Sequence, residues 1–227
     1  MFENQRLNYH GERSFSLDGI MQNQISALIP KQHFTKVLDY GAGNMPYRHL
    51  ISCDEYIGVD ISQNINGDID HLIVPGNQLP LTSKSFDLII ILDVLEHVQD
   101  QDFILSEIRR LIKPNGCVII TTPFMYRENE MPNDFVRYTS NGIIAFLNRG
   151  GASIVKINKL GNVYYTLLSL FLERVIANGE ISTVSMLGRL LNRAISFLIP
   201  ITIPLLSAHP KVDDGIFHHL LIECTFP

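Results

Sequence analysis

Three acidic residues, Asp39, Asp60 and Asp93, each close a short apolar run: Val37-Leu38-Asp39, Tyr56-Ile57-Gly58-Val59-Asp60 and Leu88-Ile89-Ile90-Ile91-Leu92-Asp93. Unbroken apolar runs of this kind read as strands buried on both faces. Each carboxylate is therefore expected at a strand tip, on the edge where open α/β sheets bind ligands. After Asp39 comes Gly41-Ala42-Gly43, a turn in which glycine permits positive φ and a close approach of backbone to ligand. Taken alone, such a turn fits a dinucleotide site or an ordinary tight turn equally well. Two details separate the readings. A dinucleotide site wants a third glycine near position 46, where pyrophosphate meets a helix N-terminus; this chain has Pro46, which opens a helix but supplies no such approach. A carboxylate at position 39 repels a pyrophosphate and attracts an amino group or a sulfonium. The loop reads as built for a cationic ligand, with a helix expected after it.

Asp60 follows Asp39 by twenty-one residues, and an acid at the tip of the second strand can accept both hydroxyls of a ribose. The plain alternative is a loop or capping Asp. Asp93 is placed to face a reacting centre, and His97, four residues on, is a side chain that could deprotonate an acceptor. His97 could equally do no more than bond backbone beneath the sheet.

The elements that must position these groups follow from periodicity. Strands are expected at Lys36–Asp39, Tyr56–Val59, Gly67–His71, Phe86–Leu92, Cys117–Thr121, Ser153–Asn158 and His218–Phe226. Helices are expected at Leu17–Leu28, at Asp102–Lys113 with Pro114-Asn115-Gly116 as its stop, after an N-capping Thr139 as far as Gly150-Gly151, at Val163–Ile176 and at Met186–Ile199. Short strands alternating with helices imply a mostly parallel sheet covered on both faces. One interval resists that pattern. Only six residues separate Asp60 from Gly67, too few for a crossover helix, so either the crossover is a loop or the third strand lies elsewhere.

The 227 residues are 46% hydrophobic and 18% charged, which excludes disorder as the main state. A formal net charge of −5 leaves no global field for nucleic acid, and none is expected as a partner. The three cysteines, Cys53, Cys117 and Cys224, are odd in number and scattered, which suits a reducing cytoplasm. The polar first thirty residues show no secretory signal. His209, Asp213, Asp214, His218 and His219 lack the paired spacing of a metal site and are read as surface or strand residues, with no metal expected.

The order LDYGAG, YIGVD, LPLTSKSFDLIIILDVLEHV, EIRRLIKPNGCVIITTPF, followed by DFVRYT at Asp134–Thr139, resembles the class I S-adenosylmethionine-dependent methyltransferases, particularly the group whose first loop ends in Pro-Tyr. The resemblance spans roughly Lys36 to Asn158. It implies a doubly wound, seven-stranded, mostly parallel Rossmann-like sheet with an antiparallel last strand and a helical apolar insertion before it. The division that follows is 1–35 for an N-terminal arm and helix, 36–158 for the cofactor-binding core, and 159–227 for the insertion plus the final strand. The resemblance further implies S-adenosylmethionine as cofactor, with Asp39, Gly41 and Gly43 around its methionine part and Asp60 on its ribose. Asn77, Gln78 and Leu79 would line adenine, and Asp93 would lie on the sulfonium side with Glu96 and His97 on the next turn. Relatives often have an acid before the Leu-Pro of the adenine loop, where this chain has Asn77-Gln78. They also often have a His before the Pro preceding DFVRYT, where this chain has Met131, so no base is expected there. Asp134 and Arg137 read as a structural pair at helical spacing; the other role for Arg137 is a substrate carboxylate.

The expected activity is methyl transfer to oxygen or nitrogen of a small-molecule, glycan or lipid-linked acceptor. The alternatives are a nicotinamide-dependent oxidoreductase and a non-catalytic cofactor-binding module of the same fold. The apolar stretch Leu160–Ala208, with Arg189, Arg193 and Phe197, reads either as a lid and homodimer surface or as an interfacial anchor peripheral to a membrane.

Overall fold

A computed structural model describes residues 17–177 and 215–227. The helix expected at Met186–Ile199, the stretch around Arg189, Arg193 and Phe197, and His209, Asp213 and Asp214 lie outside them. Elements run α1 (Leu17–Leu28), β1 (His33–Tyr40), a 3-10 turn (Arg48–Leu50), β2 (Ser52–Asp60), β3 (His71–Leu72), β4 (Phe86–Leu92), a second 3-10 turn (Leu95–His97), α2 (Gln101–Leu111), β5 (Ile112–Pro123), α3 (Ser140–Arg149), β6 (Ser153–Leu160), α4 (Val163–Ala177) and β7 (His219–Thr225). The strands form a seven-stranded sheet in the order β3-β2-β1-β4-β5-β7-β6. β1 to β5 pair in parallel, and β7 is antiparallel to both β5 and β6. The doubly wound expectation holds, antiparallel last strand included.

Strand side chains alternate between two apolar layers, as the period of two requires. Leu38, Ile89, Ile91, Val118, Ile120 and Ile222 face Ile104, Leu105 and Ile108 of α2 and Ile143, Phe146 and Leu147 of α3. Val37, Leu88, Ile90, Ile119 and Leu221 face the other way, onto Met21 and Ile25 of α1 and Tyr165 of α4. The four central strands thus have no wet face, which is why their sequences run apolar without a break.

Three expectations are corrected. No helix follows the glycine loop: Met45 adopts φ 50, and only the 3-10 turn Arg48–Leu50 fits before β2 begins. The third strand lies at His71–Leu72 rather than Gly67–His71. Its crossover is a polar loop organised by its own side chains: Asn64 Oδ1 accepts from the Asn66 and Asp68 N–H groups, and Gln63 exchanges bonds with the Ile69 backbone. Amide side chains that serve as local backbone partners stand in for a helix there. Pro114-Asn115-Gly116 does not stop α2, which ends at Leu111; it lies inside the long β5, where Asn115 takes φ 60 and donates its N–H to Phe226.

Candidate functional site

Strand order reverses between β1 and β4, which lie side by side. A crevice opens at the carboxyl edge of such a switch point because the flanking connections leave in opposite directions. Asp39 stands there on β1. It is 5% exposed, and its Oδ2 accepts from the Tyr56 hydroxyl at 2.6 Å. Burial pushes its carboxyl up to about 7, against the pull of that hydrogen bond, and the charge of Asp60 adds to the rise. The two strand tips therefore converge.

The glycine loop is latched to β2, Gly41 and Ala42 both donating to the Val59 carbonyl at 2.8 and 3.0 Å. Gly41 has φ 77, and a Cβ there would sit 2.3 Å from Val94 Cγ2, so the loop packs directly on the residue after Asp93. Gly43 has φ 50, and a Cβ there would meet none of the described residues within 4 Å. Its N–H donates to Asp60 Oδ2 at 2.8 Å, while Asp60 Oδ1 accepts from Ile61 N–H at 2.6 Å. Tyr47, absent from the sequence-derived site, is half-buried between the tips: burial, then the charges of Asp93 and Asp39, push its phenol up. The Pro46-Tyr47 pair was the signal for it.

The 76–80 loop is held from below. Buried Glu107 of α2 accepts from Leu79 N–H at 2.9 Å and pairs with Arg110, which donates to the carbonyls of Leu79 and Leu81. Leu79 is buried, whereas Asn77 and Gln78 are exposed. The Leu79 and Asn77 N–H groups are thus taken by Glu107 and by Val74 O. Before that loop, Asp70 accepts from Gly58 N–H at 2.8 Å and braces β2.

Asp93 has φ 54, an unusual state for a residue with a Cβ though one that Asp tolerates. Its Oδ1 accepts from the Thr121 hydroxyl at 2.8 Å, and its Oδ2 lies 3.5 Å from His219 Nε2. Its side chain is 41% exposed yet surrounded by protein, the position of a cleft floor. Burial opposes ionisation, but His219 and Thr121 hold the carboxyl below the usual range. His97 Nδ1 pairs with the Asn133 carbonyl at 2.7 Å, and Phe135 N–H donates to Glu96 O. The 131–135 segment is thereby fastened to the turn after β4. Glu96 is buried, its Oε2 has no hydrogen-bond partner among the described residues, and burial followed by the charge of Asp93 raises it well above the carboxylate range.

Asp134 and Arg137 do pair, through both terminal guanidinium nitrogens, but on an irregular segment rather than a helix. Arg137 also donates to the Arg127 carbonyl at 3.0 Å, so its fork is engaged by the loop. His219 opens β7, one residue later than the expected start at His218, which lies in the bend before the strand; both are buried beside the cleft rather than on the surface. The signal for this lay in the antiparallel assignment: a last strand that runs backwards begins where the parallel strands end, and His219 pairs with Pro123 at that edge. Among the described residues no group of three or more His, Cys, Asp or Glu could hold a metal. No helix among them is long and apolar enough to cross a membrane.

The Methyltransferase domain family matches residues 38–120. An uncharacterized protein of Methanocaldococcus jannaschii is 30% identical over 163 residues, covering 68% of this chain and 70% of that protein. A demethylmenaquinone methyltransferase of Streptomyces avermitilis is 26% identical over 116 residues, 47% of this chain. The chain spans 50% of that relative's length. Among solved structures, an S-adenosylmethionine-dependent methyltransferase from Mesorhizobium loti superposes with a TM-score of 0.57 at 14% identity, covering 92% of this chain and 100% of that one; the likeness is one of fold.

Proposed function

Because this chain belongs to the class I S-adenosylmethionine-dependent methyltransferases, we propose that it transfers a methyl group to oxygen or nitrogen of a small-molecule, glycan or lipid-linked acceptor. The carrying observation is a row of three carboxylates, Asp39, Asp60 and Asp93, on neighbouring strand tips around a loop whose Gly43 has none of the described residues close to the position of a Cβ. Carboxylates so placed fit a cationic nucleoside and oppose a pyrophosphate, which tells against the nicotinamide alternative. S-adenosylmethionine, when bound, supplies a methyl group on a sulfonium that is already a strong electrophile.

The chain's own residues then bind and orient. Asp39 with the Gly41 and Gly43 backbone receives the amino-acid part, and Asp60 receives the ribose hydroxyls. Asn77, Gln78 and Leu79 line adenine, with Glu107 and Arg110 fixing that loop from beneath. Asp93, on the cleft floor, meets the sulfonium side and the acceptor. His97 holds the 131–135 segment over that end with Nδ1 and turns Nε2 toward Glu96, 3.8 Å away, from where it assists the acceptor. Alignment and exclusion of water carry much of such a rate enhancement. The acceptor named for the Streptomyces avermitilis relative, demethylmenaquinone, supports the small-molecule class.

Calorimetry tests this reading. S-adenosylmethionine and S-adenosylhomocysteine are expected to bind and NAD is not; a preference for NAD overturns the assignment. Asp60→Ala is expected to weaken cofactor binding by roughly 1.5–3 kcal/mol, as for a lost hydrogen bond to a charged group. For the apolar stretch, sedimentation with liposomes separates a membrane anchor from a lid or dimer surface: an anchor is weakened by changes at Arg189, Arg193 or Phe197.

A further inference from the structure

A line of polar contacts runs from α4 to the cleft floor. Ser169 Oγ lies 3.1 Å from His218 Nε2, His218 Nδ1 lies 2.6 Å from His219 Nδ1, and His219 Nε2 lies 3.5 Å from Asp93 Oδ2. Ser169, His218 and His219 are all buried. The two rings stack at 4.7 Å, with Tyr165 of α4 edge-on to His218 and Tyr126, after β5, against both. Thr121 of β5 bonds the second Asp93 oxygen, and Glu96 and Tyr47 are the other titratable groups whose charge states respond to Asp93. We propose that His219 and Asp93 form one proton-accepting pair for the methyl acceptor, with His218 and Ser169 fixing the tautomer of the His219 ring. This rests on the methyltransferase reading above.

The proton inventory is restrictive. Two Nδ1 atoms in contact need one donor and one acceptor. Burial, with the charge of His219, holds His218 neutral, its pKa lowered to about 3, so it carries a single ring proton. With that proton on Nε2, donated to Ser169 Oγ, His218 Nδ1 accepts and His219 must donate from Nδ1. The lone pair of His219 Nε2 then faces Asp93, and the gap between them takes up one proton. The opposite orientation would already fill that gap. In the reaction, the X–H bond of the acceptor breaks, and its proton passes to Asp93 and on to His219 Nε2. The electrons of that bond form the new bond to the methyl carbon, while the carbon–sulfur pair stays on sulfur. The proton later leaves through the exposed side of Asp93. Asp93 touches the acceptor; His219 acts through it as a positioning residue.

The test uses the full chain with 15N-labelled histidine, followed by NMR against pH. Neutral His219 is expected to carry its proton on Nδ1, and Asp93→Asn should move its titration midpoint down by about one pH unit, as on losing an adjacent opposite charge. The midpoint should be lower in complex with S-adenosylmethionine than with S-adenosylhomocysteine, because a sulfonium repels the incoming proton. Neutral His219 protonated on Nε2, or a midpoint that Asp93→Asn leaves in place, overturns the proposal. Should Asp93→Asn fail to fold, Ser169→Ala gives the second readout: a mixture of His219 tautomers supports the role of Ser169, and an unchanged tautomer overturns it. Failure of S-adenosylhomocysteine to bind the unmodified chain overturns the methyltransferase reading instead, and the purpose of the pair with it.

Discussion

The two halves of the carboxyl edge treat negative charge in opposite ways. At the tips of β1 and β2, Asp39 and Asp60 are braced by a phenol and by backbone N–H groups, and burial raises the Asp39 carboxyl to about 7. At the tip of β4, Asp93 has a histidine beside it and a threonine hydroxyl on its other oxygen, and stays ionised. In the first half burial works against the ionised form of Asp39, a cost that a bound cation would lower. The second sets beside its carboxylate a ring that can gain or lose a proton. An incoming cationic cofactor would relieve the first half; an acceptor's proton would be stored in the second.

Gly41 joins the halves, and breaking it carries the largest expected effect. Gly41→Ala combines a positive φ with a Cβ 2.3 Å from Val94 Cγ2, and should cost about 3 kcal/mol of stability in denaturant titrations. Next comes Asp39→Asn. The folded chain keeps a proton on Asp39 that the unfolded chain releases above its ordinary value of 3.8, so this stability is full below that value and lost as pH rises toward 7. Asn keeps an acceptor for Tyr56 without a charge. The variant should match the parent near pH 4 and exceed it at pH 8 by roughly 2–3 kcal/mol, while binding S-adenosylmethionine less tightly.

His218→Gln should show the opposite sign. The folded ring resists protonation down to about 3, so its stability is full above the ordinary 6.5 and lost as pH falls toward 3. Melts at pH 8 should show the variant weaker by about 1.5 kcal/mol for the lost bond and packing, with the deficit closing by pH 5. The smallest effect on folding belongs to Gly43→Ala, about 1 kcal/mol for a left-handed residue in open space. Its methyl would nevertheless project into the cradle, so calorimetry should find cofactor binding lost from a folded protein. Binding at the parent's strength would show that the cradle lies elsewhere.

The tips of β1 and β2 were far more legible in sequence than the surroundings of Asp93. Asp39, Gly41, Gly43 and Asp60 sit within two local strand–turn units, where chain neighbours determine who meets whom. Glu107 and His219 reach their partners across 28 and 126 residues, Leu79 and Asp93 respectively. The Glu107 contact runs from a helix into a loop, and the His219 contact exists only once β7 has paired backwards on β5. Nothing in the local pattern around His218-His219 distinguishes a buried pair from two exposed strand residues.

The sequence by itself determined which strands are buried on both faces, where helices such as Leu17–Leu28 lie, and that acids end the central strands, because periodicity and composition express local burial. Only the tertiary structure decided that the expected helix after Pro46 is a 3-10 turn, that the third strand shrinks to His71–Leu72, and that Asp93 gains a histidine. Those outcomes depend on the loop lengths and strand pairings of the assembled sheet, which fix distances between residues far apart in the chain.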